Sequence, residues 1–353
     1  MSTSLAASPN ASLGTVVRQF ARGVYQQRHG FRKAAKRARF LKNREALARA
    51  VRSPNSVRIF ANSRGGSTIF TELLLDGRTG VLWEPLLTPK PPAGHLAARE
   101  AVGNVPYVPR GCEDDDLAAL FVDLFDGRTQ CVSSYANPMP GINQRGDRAI
   151  VKLCGGSACL PYLAELLPER TGRPLRSVHL LRHPAAVVAS QVNFGYFDRF
   201  EPVRDTRSYQ HGRYQDLFER YEHAISDVRT REQMFAVWWC LTNVDAIKTP
   251  PAERTWHTIC YEDLLTDPHE TAAELHAYLA ENETGEDEGP RLNLERLEQA
   301  SVTTVGGRKS IETNSQLERW RKRMDARQIR DVLDTLEAFG IDLYGDDLLP
   351  TGR

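Results

Sequence analysis

The sequence predicts an α/β protein built on a central parallel β-sheet with helices on both sides. Two observations lead to this prediction. Short β-type runs such as residues 57–61 alternate along the chain with segments whose apolar residues recur at helical spacing. The 353 residues, 41% hydrophobic and 26% charged, can form a sizeable core in one large domain or in two smaller ones.

Five strands are predicted, and helical segments separate them. In chain order the strands are residues 57–61, 80–83, 149–153, 177–181 and 256–260. Helices are predicted at residues 68–75, 117–125, 158–167, 184–192, 234–247, 271–279, 292–299 and 317–339. Pro184 is a typical start signal, because proline suits the first position of a helix. We expect ligands to bind in the loops after the first, third and fourth strands, because such sheets bind ligands beyond the carboxyl ends of their strands.

The chain divides into an N-terminal segment, residues 1–52, and a single domain, residues 53–353, with a helical insertion or lid at about 193–232. The start of the chain is rich in Ser, Ala and Asn, and we expect it to be disordered. Glu45 is the only acidic residue before position 53, so the helical part of this segment is a basic arm. Three interpretations of the arm stay open: a solvated helix, a contact with a membrane surface or acidic partner, and an organelle transit peptide.

Composition excludes several classes of function. A formal net charge of +1 gives no reason to expect nucleic-acid binding. No long apolar run or secretory signal is visible, so we expect a cytoplasmic protein that could bind peripherally to a membrane surface through the basic arm. The six cysteines lack zinc spacing, so we expect reduced thiols and no metal, with a disulfide of Cys131 left open. The sequence does not predict an oligomeric state.

The loop after the first predicted strand has the residues of an anion site. It runs Ser63-Arg64-Gly65-Gly66-Ser67-Thr68 and is followed by a predicted helix. A glycine pair lets backbone N–H groups turn toward an anion, and the arginine and two hydroxyl residues add further donors. The loop has no Gly-Lys-Ser/Thr, so it is not a Walker A loop. Taken alone, it is equally consistent with an ordinary glycine-rich turn.

A second candidate lies at the end of the fourth predicted strand. Arg182 ends this strand, and Ser190 lies two turns into the helix that begins at Pro184. An arginine at this edge of the sheet can hold a phosphate group. The alternative is an arginine in a salt bridge and an unrelated serine in a helix.

Together, the loop and the Arg182–Ser190 pair resemble the two nucleotide-binding elements of sulfotransferases that use 3′-phosphoadenosine-5′-phosphosulfate. The loop is similar to the family's 5′-phosphosulfate loop, and the pair to its 3′-phosphate residues. Further similar stretches are Gly80-Val-Leu-Trp-Glu-Pro-Leu86, which is typical of carbohydrate-type members, Tyr261-Glu-Asp-Leu264 and Thr313-Asn-Ser-Gln-Leu-Glu-Arg-Trp-Arg321. The resemblance spans residues 56–345 and implies a P-loop NTPase-like fold. Gly65 and His183 depart from the family's common Ser and Asp.

The resemblance implies roles for individual residues. Arg64 would neutralise the bridging oxygen of the sulfuryl donor, and Glu84 would accept the acceptor's proton, since Cys154 stands where cytosolic members have a histidine. Lys152 would contact the sulfuryl group or form a structural ion pair. The nucleotide contacts would be Ser63, Arg64, Gly65, Gly66, Ser67, Thr68, Arg182, Ser190, Tyr261, Arg308 and Lys309. For Arg308 and Lys309, a solvated basic pair is an equal alternative.

The sequence therefore predicts a sulfotransferase that transfers a sulfuryl group to a hydroxyl of a carbohydrate or glycolipid and releases adenosine 3′,5′-bisphosphate. Two alternatives remain. A nucleotide-dependent phosphotransferase would need a Walker lysine and a magnesium-binding carboxylate, and neither is evident. A non-catalytic nucleotide- or membrane-binding protein would use the same loop or the basic arm without chemistry.

Overall fold

Five parallel strands form the centre of the protein in the order β2-β3-β1-β4-β5 in a computed structural model. The structure describes residues 35, 38–39, 42–87, 106–129, 141–173, 175–195, 198, 200–202, 214–280, 290–298 and 316–351. The strands are β1 (Val57–Ala61), β2 (Thr79–Trp83), β3 (Arg148–Cys154), β4 (Ser177–Leu181) and β5 (Trp256–Cys260). The predicted fold class, a parallel sheet flanked by helices, is confirmed, and each strand lies within one residue of its predicted bounds.

Helices connect the strands and cover the sheet. They are α1 (42–52), α2 (Ser67–Leu73), α3 (Asp115–Phe125), α4 (Leu160–Thr171), α5 (Pro184–Val192), α6 (Gln215–Ser226), α7 (Arg231–Lys248), α8 (Tyr261–Thr266), α9 (Pro268–Ala280) and α10 (Ala326–Ala338). Short 3₁₀ turns occupy Pro85–Leu87, Ser157–Cys159, Pro251–Glu253, Leu294–Glu298 and Glu318–Trp320. Helix α6 lies in the predicted insertion.

The predictions for the C-terminal helices were partly wrong. Residues 317–339 do not form one helix: a 3₁₀ turn at Glu318–Trp320 precedes α10, which begins only at Ala326. Asp325 separates the two, because its backbone is extended and its side chain accepts hydrogen bonds from the N–H groups of Arg327 and Gln328. The predicted helix at 292–299 is a 3₁₀ turn at Leu294–Glu298.

The two faces of the sheet are covered by different helices. In β1, the buried side chains of Ile59 and Ala61 pack with residues of α2, α8 and α9, whereas Phe60 packs with residues of α3 and α4 on the other face. Helices α5, α7 and α10 share a third apolar cluster. Burial of both faces explains why the strands are apolar almost throughout.

The described end of the basic arm packs on the domain. Leu47, Ala50 and Val51 of α1 are buried, whereas Arg44 and Arg49 are exposed. The arm before residue 35 lies outside the described residues, so its membrane contact stays a prediction. Among the described helices, none combines the length and apolarity that crossing a membrane requires.

Candidate active site

The loop between β1 and α2 turns sharply at the carboxyl edge of the sheet. The N–H of Gly65 donates to the carbonyl oxygen of Asn62 at 2.9 Å, which closes the turn. Arg64 and Gly66 both have positive φ angles, 72° and 91°. A left-handed backbone is unfavourable for a residue with a Cβ atom, so Arg64 is held in a strained conformation of the kind that clusters at functional sites.

Gly66 lies directly against the ring of Tyr261. A Cβ atom at position 66 would be 2.6 Å from the Cδ2 atom of that ring, so only glycine fits beside it. The ring is buried, and its hydroxyl donates to Oε1 of Gln316 at 3.0 Å. Tyr261 therefore forms one wall of the loop and has little room to move.

Helix α5 holds the loop from the side of the neighbouring strand. Nε of Arg64 donates to Oγ of Ser190 at 3.0 Å, across 126 residues of sequence. The amide of Gln191 donates to the carbonyl oxygen of Ser63 at 3.0 Å, and Arg182 donates to that of Arg64 at 3.2 Å. The structure thus brings together the two sequence elements predicted to bind one nucleotide, although their ligand remains a prediction.

Positive charge accumulates on this side of the loop. The guanidinium of Arg182 lies 4.7 Å from the centre of the Tyr261 ring, and its Nε is buried without a hydrogen-bond partner among the described residues. Arg64 stacks on Phe194 at 4.7 Å. Burial lowers the pKa of Arg64, and the charges of Arg182 and Arg323 lower it further. Within the described ranges, neither Arg64 nor Arg182 forms an ion pair with a carboxylate, and the charge of the buried Glu262 acts on Arg182.

On the other side of the loop, Lys152 of β3 forms an ion pair with Glu84. Its Nζ lies 2.8 Å from Oε1 of Glu84, 3.4 Å from Oγ1 of Thr68 and 3.8 Å from the centre of the Trp83 ring. The Lys152 side chain is 3% exposed and that of Glu84 is 24% exposed, so the carboxylate faces the solvent side. Glu84 has a φ angle of 44°, which makes it, with Arg64, one of the two non-glycine residues of the described chain with positive φ.

Lys152 keeps its charge, whereas the neighbouring thiol is neutral. Burial alone would lower the pKa of Lys152, but the carboxylate of Glu84, 2.8 Å from its Nζ, favours the charged ammonium, and the net pKa is raised. Burial raises the pKa of Cys154 to about 12, and its Sγ lies 3.4 Å from Oγ of Ser67. A thiol of this kind is not a nucleophile at neutral pH.

A buried network fixes the backbone after Arg182. The N–H of His183 donates to Oε1 of Glu262 at 3.0 Å, and the hydroxyl of Tyr344 donates to Oε2 of the same carboxyl at 3.0 Å. The His183 ring stacks on Trp320 with centroids 4.7 Å apart. Burial lowers the pKa of His183 to about 4, so the ring is neutral. Arg182 is therefore presented by a rigid backbone.

Hydrogen-bonded polar side chains link the start of the loop to β4 and α7. Nε2 of His179 in β4 is 2.9 Å from Oδ1 of Asn243 in α7, and the amide of Asn243 donates to Oδ1 of Asn62 at 2.6 Å. His179 and Asn243 are both fully buried. Buried polar groups that satisfy one another in this way fix a single arrangement of the residues they join.

The structure covers most, but not all, of the predicted site. Glu84, Lys152, Arg182, Ser190 and Tyr261 lie around the loop from Ser63 to Thr68, whereas Arg308 and Lys309 lie outside the described residues. Sequence reasoning missed Gln191 and Asn243, which hold the loop, and Arg323, whose charge interacts with those of Arg64 and Arg182. Gln191 could have been noticed because it follows Ser190 directly. Across the described residues, no group of three His, Cys, Asp or Glu is arranged to hold a metal.

No family model matches the chain, and no curated protein matches it. Two proteins of known structure resemble it distantly. The sulfotransferase domain of the Synechococcus PCC 7002 olefin synthase is 18% identical over 82% of this chain and 95% of that chain, with a TM-score of 0.34. Retinol dehydratase, in complexes with androsterone and inactive cofactor PAP and with retinol and PAP, is 14% identical over 87% of each chain, with TM-scores of 0.36 and 0.38. At these values the likeness does not establish a family for this chain.

Proposed function

We propose that the protein is a sulfotransferase that uses 3′-phosphoadenosine-5′-phosphosulfate. One observation carries the proposal: the hydrogen bonds of Arg64 to Ser190 and of Arg182 to the Arg64 carbonyl oxygen join two elements that the sequence had assigned to two anionic groups of one nucleotide. Arginines without carboxylates around a glycine-rich turn are suited to a phosphate. The Lys152–Glu84 pair on the opposite side of the turn supplies a cation and a base.

The two sides of the loop have different tasks in this proposal. The glycine-rich turn and Arg64 hold the 5′-phosphosulfate, Arg182 and Ser190 hold the 3′-phosphate, and Tyr261 lines the nucleotide site. Lys152 contacts the sulfuryl group beside the hydroxyl of Thr68, which lies 3.4 Å from its Nζ. The sulfuryl group is charged in the donor and in the product. As in phosphoryl transfer, catalysis therefore consists mainly of positioning the reactants and stabilising charge in the transition state.

Glu84 is proposed as the general base. One carboxylate oxygen contacts Lys152, and the partly exposed carboxylate can accept the proton of an acceptor hydroxyl. The acceptor oxygen forms a bond to sulfur as the bond between sulfur and the 5′-phosphate oxygen breaks. The products are a sulfate ester, adenosine 3′,5′-bisphosphate and a proton on Glu84. The Glu-Pro-Leu resemblance at residues 84–86 is the reason to propose a carbohydrate or glycolipid hydroxyl as acceptor.

Nucleotide binding tests the proposal most directly. Adenosine 3′,5′-bisphosphate should raise the melting temperature of the protein, because a ligand that binds only the folded state stabilises it. ATP with magnesium should have little effect, since the loop lacks a Walker lysine. Stabilisation by ATP with magnesium alone would contradict the proposal and favour a phosphotransferase.

Turnover separates an enzyme from a nucleotide-binding protein. In a screen for transfer of labelled sulfate to sugars, glycolipids and phenols, Glu84→Gln should reduce turnover by about 10²–10⁴-fold, the usual contribution of a general base, and should keep nucleotide affinity. Glu169→Gln, an exposed change of the same kind, is the matched control. Full activity of Glu84→Gln would remove Glu84 as the base, and nucleotide binding without transfer to any acceptor would favour the non-catalytic alternative.

A further inference from the structure

Helix α7 contacts the carboxyl ends of two neighbouring strands. The amide of Asn243 donates to Oδ1 of Asn62, the residue after β1, at 2.6 Å. One turn earlier, Nε1 of Trp239 donates to the carbonyl oxygen of Arg182, the residue after β4, at 3.1 Å. Strands β1 and β4 lie side by side, and the chain leaves them in opposite directions across the sheet, toward β2 and toward β5. Helix α7 therefore binds both strand ends at the place where sheets of this kind bind ligands.

The contacts of the Asn243 amide fix which of its atoms donates. Its nitrogen lies 2.7 Å from the carbonyl oxygen of Trp239, an atom that can only accept, so the nitrogen donates there and to Asn62. The amide oxygen is left to accept from Nε2 of His179, at 2.9 Å. His179 thus carries its proton on Nε2, and its Nδ1 is a buried acceptor without a partner among the described residues.

This buried polar arrangement has a cost to the fold. His179 and Asn243 are fully buried and Asn62 is nearly so. A buried acceptor that receives no hydrogen bond raises the free energy of the folded state. An apolar side chain at position 179 would avoid this cost and would match its neighbours in β4, Val178 and Leu180. Polar residues that break the pattern of their strand are expected at functional sites, where stability alone does not select the residue.

Asn62 connects this arrangement to the loop. Its carbonyl oxygen accepts from the N–H of Gly65 at 2.9 Å and so closes the turn that contains Arg64. Arg64 and Gly66 have φ angles of 72° and 91°, and a strained turn persists only when its surroundings hold it. The side chain of Asn62 binds α7 while its main chain closes the turn, so the two cannot move independently.

We infer that Asn243 is a positioning residue of the loop. By holding Asn62, with its own amide held by His179, it keeps the strained turn in one conformation before the sulfuryl donor binds. Preorganisation of this kind raises affinity, because the ligand does not have to order the loop. The effect on donor binding rests on the proposed function, whereas the effect on the conformation of the turn does not.

A double-mutant cycle measured by isothermal titration calorimetry tests this inference. Asn243→Ala and Asn62→Ala should each weaken binding of adenosine 3′,5′-bisphosphate by about tenfold, which corresponds to the loss of one hydrogen bond. The double variant should bind no more weakly than either single variant, because all three lack the same bond. Val244→Ala is the matched control at the next position of α7. It removes buried apolar atoms and no hydrogen bond to the loop, so it should lower stability in urea and leave affinity unchanged.

His179 supplies a second comparison. His179→Leu removes the donor to the amide oxygen of Asn243 and should weaken binding by about three- to tenfold. His179→Gln keeps an N–H donor at the same number of bonds from Cα, so it should restore most of the affinity that His179→Leu loses. Equal weakening in both variants would overturn the inference, since the hydrogen bond would then have no effect of its own. If Asn243→Ala does not fold, this pair together with Asn62→Ala decides the question.

Amide hydrogen exchange at Gly65 gives a readout that needs no nucleotide. Its N–H is bonded to Asn62, so it should exchange about tenfold faster in Asn243→Ala and at the wild-type rate in Val244→Ala. Unchanged affinity in Asn243→Ala, additive weakening in the double variant, or unchanged exchange at Gly65 overturns the inference. Lack of nucleotide binding by the wild-type protein instead overturns the proposed function, and exchange at Gly65 then still decides the role of Asn243.

Discussion

Arginines gather at both edges of the sheet, but within the described chain those at the amino edge form ion pairs and those around the loop at the carboxyl edge do not. At the amino edge, Asp126 forms ion pairs with Arg128, at 2.7 Å, and with Arg173, while burial and nearby arginines lower the pKa of Arg58 to about 10. At the carboxyl edge, no described carboxylate forms an ion pair with Arg64 or Arg182, and the nearest charge effect on Arg182 comes from the buried Glu262. Both edges hold several guanidiniums, and they differ in what neutralises them.

This difference distinguishes a structural cluster of arginines from the proposed ligand site. At the amino edge the fold supplies its own counter-charge, so removing an arginine there leaves Asp126 with fewer partners and affects stability. At the carboxyl edge the described arginines of the loop lack ion pairs, and the charge of Glu262 offsets that of Arg182 only in part, an arrangement that is costly for the fold and suited to binding an anion. The residue type alone does not distinguish the two edges, whereas the position of the carboxylates does.

The largest expected effect is on turnover, at the carboxyl edge. Arg64→Gln should lower the rate of sulfuryl transfer by about 10²–10³-fold, as the loss of one positioned donor at a developing charge does. Because Arg64 has no ion pair within the described chain, the substitution should change the unfolding free energy of the protein by less than about 1 kcal/mol. Steady-state kinetics and urea denaturation measure the two quantities. Loss of stability with unchanged turnover would show that Arg64 stabilises the fold and does not take part in catalysis.

Gly66→Ala should damage the loop itself. The new Cβ atom would clash with the ring of Tyr261, and the positive φ angle of residue 66 is unfavourable for alanine. We therefore expect a loss of about 3 kcal/mol in the unfolding free energy. Nucleotide affinity should fall as well, because the loop must move away from Tyr261. Gly172→Ala is the matched control, since Gly172 also has positive φ but no atom near the position of a Cβ. Similar losses in both variants would show that backbone strain alone is responsible.

A smaller effect concerns pH. His183 has a pKa lowered to about 4 by burial and then by the charge of Arg182, whereas in the unfolded chain it titrates near 6.5. The unfolded state therefore takes up a proton first, and stability falls as the pH drops from about 6.5 toward 4. We expect a loss of about 2.5 kcal/mol from His183 at about pH 4.5. Urea denaturation of His183→Gln should show a correspondingly weaker pH dependence, and an unchanged dependence would contradict the neutral, buried state of His183.

The smallest effect lies at the amino edge. Arg173→Gln should lower the unfolding free energy by about 1 kcal/mol, because the Arg173–Asp126 pair is partly exposed and Arg128 remains beside Asp126. Affinity for adenosine 3′,5′-bisphosphate should not change. Calorimetry and urea denaturation on the same preparation check both expectations. A drop in nucleotide affinity would mean that the two edges do not differ in function.

The sequence was sufficient to predict the sheet because each strand is a short apolar run between clear turn and helix signals. It was not sufficient for the C-terminal helix, where the helical spacing of residues 317–339 continues through Asp325 and only the capping hydrogen bonds end the pattern. The spacing of apolar residues predicts a helical period, but the start of a helix depends on whether one side chain forms a hydrogen bond with the backbone N–H groups of the first turn.

The sequence was sufficient for those parts of the candidate site that consist of residues close together in the chain. The loop at 63–68 is contiguous, and Arg182 follows a strand, so strand topology alone places them together. The position of Arg323 near Arg182 could not be predicted, because it depends on the stacking of Trp320 on His183. At the sequence level a structural ion pair was one of two alternatives for Lys152, without a named partner, and only the register of β2 against β3 shows that Lys152 meets Glu84.

Positive φ angles at Arg64 and Glu84 have a consequence for protein engineering. A redesign for thermostability that relies on backbone geometry would replace both residues with glycine, which tolerates a left-handed backbone. Those replacements would delete the proposed cation of the loop and the proposed base together. Selection for heat resistance and selection for turnover should therefore favour different residues at these two positions.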